Sequence, residues 1–213
     1  PGSAEGSGPP QTRELRRGGR GPEEVNNIMK IISGKFRGRV IDMPKDARPT
    51  SNKAREALFE ILKNDIHGKS FLDLYSGSGA VGLEALSRGA EGISFVDSSQ
   101  ESIKTIRKNI TKLNILDSYS IYIYTKNALQ AIRDFNKKGA RFDIIFMDPP
   151  YYKDIAKNTL IEISNYDILT ANALIVIELY KKDDLPEKVN FLERFRVSRY
   201  GDTKLEFYKI CKR

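Results

Sequence analysis

The stretch KSFLDLYSGSGAVGLEALSRGA, Lys69 to Ala90, decides the fold. A short apolar run, FLDLY, stops at two closely spaced glycines. Apolar residues then recur at helical spacing until Gly89. That order reads as a strand, a sharp turn and a helix. Gly77 and Gly79 let the backbone turn tightly and come close to a ligand, as a side chain would not. An acid, Asp73, lies inside the strand, where an apolar residue is the default.

The same alternation continues outward on the C-terminal side. GISFVD (92–97), SIYIYT (120–125), FDIIFMD (142–148) and ALIVIEL (173–179) read as strands. Between them SQESIKTIRKNITKLN, ALQAIRDFNKKG and the segment around 155–164 read as helices. Strands alternating with helices predict an α/β fold, a doubly wound and mostly parallel sheet with helices on both faces. The tail, FRVSRYGDTKLEFYKI, reads as two strands joined near Gly201, which would add antiparallel strands at an edge. On the N-terminal side, residues 29–45 read as a β-hairpin. RPTSNKAREALFEIL then reads as a helix capped by Thr50 or Ser51, with Ala54, Leu58, Ile61 and Leu62 on its apolar face. Residues 1–28 are rich in Gly, Pro and Arg, have no lysine, and read as a disordered or artificially added leader before Met29. The expected organisation is therefore a leader (1–28), a basic hairpin and helix (29–66), and a catalytic domain (67–213).

Composition narrows the chemistry. The chain has 213 residues with a formal net charge of +8. Its one cysteine, Cys211, excludes an internal disulfide and points to a reducing, cytoplasmic setting. A single histidine, His67, in a turn-like NDIHGKS, excludes a zinc site built from several His and Cys ligands, and no metal is expected. No apolar run is long enough to span a membrane. Charge is concentrated between residues 30 and 55. Eight bases (Lys30, Lys35, Arg37, Arg39, Lys45, Arg48, Lys53, Arg55) face two acids there (Asp42, Asp46), a local +6. Such a segment attracts polyanions.

In doubly wound sheets, ligands bind beyond the carboxyl ends of the strands. Three such ends carry polar residues here. The first holds Asp73 with Gly77 and Gly79. Asp97 closes the second and can accept hydrogen bonds from both hydroxyls of a ribose. At the third, Asn127 and the backbone of Ala128 can meet an adenine. Gly77, Gly79 and Gly82 satisfy the dinucleotide fingerprint. A nicotinamide reading is disfavoured, because Asp73 would oppose a pyrophosphate and the loop supplies no cation for one. An ammonium group plus a ribose suits Asp73 and Asp97 better, and S-adenosyl-L-methionine carries both.

The fourth strand ends in DPPY, Asp148 to Tyr151. Each proline holds the residue before it extended and has no N–H to donate. Asp148, Pro149 and Pro150 therefore present acceptors, and Tyr151 presents a ring on which a base can stack. Two acceptors beside an aromatic face fit a planar base with an exocyclic amino group.

With these motifs in place, the sequence resembles the RsmD family of bacterial methyltransferases. The resemblance is carried by ISGKFRGR, RPTSNKAREALFEIL, DLYSGSGAVGLEALSRGA and DPPYY, in that order. It implies a class I, Rossmann-like methyltransferase that modifies the exocyclic N2 of a guanine in small-subunit ribosomal RNA. It implies cofactor contacts at Asp73, Gly77, Gly79, Asp97 and Asn127 and catalytic roles from Asp148 to Tyr151. Lys35, Arg37, Arg39, Arg48, Thr50 and Arg55 fall in the stretch associated with RNA or with ordering the active site. A monomer acting on ribosomal RNA or the small subunit is expected. A DNA adenine-N6 methylase, or a non-catalytic RNA-binding protein on the same fold, would share part of this pattern.

Overall fold

The computed structural model describes residues 28–44, 52–150 and 154–211. Of the leader expected over residues 1–28, residues 1–27 lie outside the described residues, as do Arg48, Thr50, Ser51, Tyr151 and Tyr152, while residue 28 is described. Ten strands and five helices follow in chain order. They are β1 (Ile28–Lys30), β2 (Val40–Asp42), α1 (Asn52–Leu62), β3 (Ser70–Leu74), α2 (Ala80–Ser87), β4 (Gly92–Asp97), α3 (Gln100–Leu113), β5 (Ser120–Thr125), α4 (Ala128–Lys137), β6 (Phe142–Met147), α5 (Ile155–Asn165), β7 (Leu169–Tyr180), β8 (Lys188–Val189), β9 (Leu192–Tyr200) and β10 (Thr203–Ile210).

The main sheet has eight strands in the order β5-β4-β3-β6-β7-β10-β9-β8. β5, β4, β3, β6 and β7 are parallel. The chain reverses its direction of winding between β3 and β6, and there the carboxyl ends open a crevice. Period-two alternation splits the apolar side chains between two faces. Phe71, Ile93, Phe95, Ile144 and Phe146 meet α1, α2, α3 and the β1–β2 hairpin. Leu72, Leu74, Val96, Ile145 and Met147 meet α4 and α5. Each fully buried Leu, Ile or Phe contributes about 1.5–3 kcal/mol.

The C-terminal hairpin adds antiparallel strands beyond β7, on one side of the parallel strands as the sequence reading expects, with the two-residue β8 outermost. β10 is not at an edge: it pairs antiparallel with β7 on one side and β9 on the other. Its polar residues are therefore enclosed. Lys204 is 2% exposed and Glu206 0%. They form an ion pair at 2.6 Å, and Arg194 joins Glu206 at 3.0 Å. Local alternation cannot reveal such a network, because it looks like a solvated strand.

The β1–β2 hairpin is as expected in type but shorter, and its loop is docked. Glu84 of α2 is 0% exposed. Its carboxylate accepts the backbone N–H of Ile32 (2.7 Å) and of Ser33 (2.9 Å), and Arg88 pairs with it at 2.8 Å. Ser87 adds three bonds, accepting from the N–H of Lys35 and of Phe36 and donating to the Ser33 carbonyl. Met29, Ile31, Phe36 and Ile41 share one apolar core with Leu58, Phe59 and Leu62 of α1.

Candidate active site

The strand-end acids converge on one face. Asp73 pairs with Phe95 of β4 and with Phe146 of β6, so Asp97 and Asp148 lie on either side of it and further toward the carboxyl ends. Asp73 is 1% exposed. Its Oδ2 accepts the Gly82 N–H at 3.0 Å. Gly79, the N-cap of α2, offers no side chain. Asp73 supplies the missing acceptor for the third helical N–H, that of Gly82, from nine residues upstream. Burial pushes its pKa up to about 8, and the Asp97 and Asp148 charges add to the rise against that one hydrogen bond. Two strand-end carboxylates thus lie within electrostatic reach of a third.

Asp97 organises the loop. Its Oδ2 accepts Gly77 N–H and its Oδ1 accepts Ser99 N–H, both at 2.8 Å. A carboxylate has about four acceptor sites, so both oxygens keep capacity for hydroxyl donors. The three glycines divide the work between them. Two of them, Gly77 (φ 53) and Gly79 (φ 78), hold a left-handed backbone. A Cβ on Gly77 would meet nothing within 4 Å, so this glycine borders open space. On Gly82 a Cβ would come within 2.4 Å of Phe95 Cε1, so that glycine exists to press α2 against β4. Asn127 is the N-cap of α4, its oxygen accepting Leu129 N–H at 2.9 Å. Ala128 is buried.

At the end of β6, Asp148 is half-buried, Pro149 buried and Pro150 exposed. Two further residues of this region escaped the sequence reading. Tyr75 holds φ 61, an uncommon backbone for a tyrosine. The left-handed turn sends its ring toward α5, where its hydroxyl bonds Thr159 Oγ1 at 2.7 Å. Glu178 lies on β7 beside the β6 end, one residue after the Met147–Ile177 pair, and is 3% exposed. Its signal was available: ALIVIE ends on an acid just as GISFVD and FDIIFMD do.

The basic residues divide. Arg55 is 1% exposed and its guanidinium bonds the Lys30 carbonyl at 2.6 Å and the Met29 sulfur. Facing inward, it stands with the ordering of the hairpin against α1 and not on a phosphate-binding surface. Arg39 donates to the carbonyls of Lys112 (2.8 Å) and Leu113 (2.9 Å), closing the C-terminus of α3. Lys35 and Arg37 are exposed, Lys35 with its ammonium 5.5 Å from the centre of the Tyr119 ring.

The chain is similar to known proteins over most of its length. The profile of the family described as conserved hypothetical protein 95 matches residues 29–209. The Bacillus subtilis protein YlbH is 35% identical over 183 residues, covering 85% of this chain and 98% of its own length. Ribosomal RNA small subunit methyltransferase D of Escherichia coli is 32% identical over 160 residues, covering 74% and 78%. The solved structure of yhhF from Escherichia coli superposes with a TM-score of 0.76 at 29% identity, covering 87% of this chain and 99% of that one.

Proposed function

This chain belongs to the conserved hypothetical protein 95 family, that of RsmD, and we propose that it methylates the exocyclic N2 of a guanine in small-subunit ribosomal RNA. The methyl donor is S-adenosyl-L-methionine, which supplies, when bound, an electrophilic methyl on a sulfonium. The residues fit it: a buried acid under the glycine loop for an ammonium, Asp97 with spare acceptor sites for a ribose, and open space above Gly77. The observation that carries the reading is the convergence of Asp73, Asp97 and Asp148, close enough for the last two to raise the pKa of the first. In this reading Asp148 holds the amine and Asp73 and Asp97 hold the cofactor, and their closeness supports transfer between the two.

The protein's part in the reaction is to position. A guanine N2 lone pair is delocalised into the ring. The Asp148 carboxylate accepts one amine hydrogen and a backbone carbonyl of Pro149 the other, which favours a pyramidal nitrogen. Orientation of this kind is worth on the order of 7–11 kcal/mol in well-aligned intramolecular reactions. As the nitrogen takes the methyl, the methyl carbon–sulfur bond would break with its electron pair left on sulfur; the nitrogen becomes cationic and gives up a proton, which Asp148 accepts in this reading. No histidine is required. The setting is the cytoplasm, the substrate is ribosomal RNA or the small subunit, and the enzyme acts as a monomer.

The test is to map the modified nucleotide by mass spectrometry after incubating small subunits, naked rRNA and DNA with the enzyme. Methyl on guanine N2 of the RNA is expected; methyl on adenine, or on DNA alone, overturns the reading. In the same assay Asp148→Ala should lose turnover by two orders of magnitude or more, while calorimetry shows near-parent cofactor affinity.

A further inference from the structure

The cationic surface extends beyond the hairpin. α3 buries Ile103, Ile106, Ile110 and Leu113 against the sheet. Its opposite face carries Lys104, Arg107, Lys108 and Lys112, all exposed. These positions fall on one helical face, and at 1.5 Å per residue they run about 12 Å along the axis. Lys104–Lys108 and Lys108–Lys112 are like charges at i,i+4 spacing, an arrangement that costs about 0.2–0.5 kcal/mol each in an isolated helix. Asp42 of the hairpin relieves one end, bonding Lys108 at 2.8 Å and Lys112 at 2.9 Å. Lys104 and Arg107 form no ion pair among the described residues.

The stripe has a direction. Its lower end meets the hairpin, where Arg39 holds the last carbonyls of α3 and a groove of about 580 Å³ opens between Ile28, Asp42, Lys108 and Lys112. Its upper end begins at Ser99, two residues past Asp97, whose carboxylate holds the Ser99 N–H. A polyanion resting on the exposed Arg37 and continuing along α3 is therefore led to the rim of the crevice. Lys104 and Arg107, without an ion pair among the described residues, carry the line from the Asp42-paired Lys108 toward the crevice, and fixed cations in that arrangement suit a phosphodiester backbone.

We infer that the exposed face of α3, through Lys104, Arg107 and Lys108, is a second RNA-backbone contact that carries the strand flanking the target guanine from the hairpin to the active site. The inference rests on the ribosomal RNA reading above. Contacts of this type add affinity without base preference, and they leave the chemical step alone.

The experiment compares the parent, K104A/R107A, the charge-keeping K104R/R107K, and K137A/K138A on the other side of the sheet. Affinity for a small-subunit rRNA fragment is measured against salt, cofactor affinity by calorimetry, and methyl transfer at increasing RNA. K104A/R107A should weaken RNA binding at low salt and flatten the log–log salt slope by about 0.7–0.9 per lost contact. KM for RNA should rise with kcat unchanged, cofactor affinity should hold, and K104R/R107K should restore the parent slope. Parallel salt lines of equal affinity, or an equal effect from K137A/K138A, overturn this inference and leave the function standing. Tight binding of anionic phospholipid vesicles with no loss of RNA affinity in K104A/R107A also overturns it. A parent enzyme that neither binds nor methylates the RNA removes the function and this inference together.

Discussion

Asp73 is an acid that the fold buries at the base of the crevice. Its ordinary pKa is 3.8, and in the folded chain it is pushed up to about 8 by burial, with Asp97 and Asp148 adding to the rise. A folded-state pKa above the unfolded one means that the folded chain binds the proton more tightly. Its contribution to stability is therefore complete below about pH 4 and declines as pH rises toward 8. Asp73→Asn should flatten that stretch of the stability–pH profile in the ligand-free enzyme, read by denaturant unfolding between pH 5 and 8. An ammonium group placed against Asp73 favours its ionised form. Cofactor binding at pH 7 should then release a proton, seen as a binding heat that changes with the ionisation enthalpy of the buffer. A heat independent of buffer would remove Asp73 from the ammonium's contacts.

At the scale of elements, the docked loop between β1 and β2 is the part most sensitive to a single methyl group. Gly34 and Gly38 both have φ 80. A Cβ on Gly38 meets nothing within 4 Å, whereas one on Gly34 would lie 1.8 Å from the Ser87 carbonyl oxygen, a backbone atom. Gly38→Ala should cost only the left-handed penalty, about 1–2 kcal/mol. Gly34→Ala forces the loop off α2 and leaves the Glu84 carboxylate without the Ile32 and Ser33 N–H groups. That should cost at least twice as much, since bonds to charged groups are worth about 1.5–3 kcal/mol each. Equal unfolding midpoints for the two variants would show that the loop is not clamped to α2. The glycine was legible in SGKFRG as a turn residue. That it faces α2, and that an acid in LEALS anchors it, was not, because Ser33 and Glu84 are 51 residues apart.

Across the whole molecule, Asn109 joins the hairpin to the cofactor loop. It is 0% exposed. Its oxygen accepts Asp42 N–H at 2.8 Å, and its NH₂ group donates to the carbonyls of Asp42 (2.9 Å) and Ser78 (3.0 Å). Ser78 lies between Gly77 and Gly79. Asn109→Leu would orphan an N–H and two carbonyls at about 1–3 kcal/mol for each group left buried. Cofactor and RNA affinity should both fall in the folded variant, whereas Arg37→Ala should lower RNA affinity alone. A variant with only its RNA affinity reduced would show that the two sites do not share this link.

The sequence by itself determined the order of elements, the parallel sheet, and the acids and glycines at the ends of β3, β4 and β6. Those signals are local: two-residue and 3.6-residue periods, turn glycines, and prolines after an acid act within one element and survive without the rest of the chain. Only the tertiary structure decided that β10 lies inside the sheet with Lys204 and Glu206 enclosed. It also decided that Arg55 turns inward while Lys104 and Arg107 stay out, that Asp73 caps a helix that has no cap of its own, and that Asn109 ties two sites together. Each of these depends on which segments meet across tens of residues, and burial and partners, which set a polar group's energy, exist only once they do.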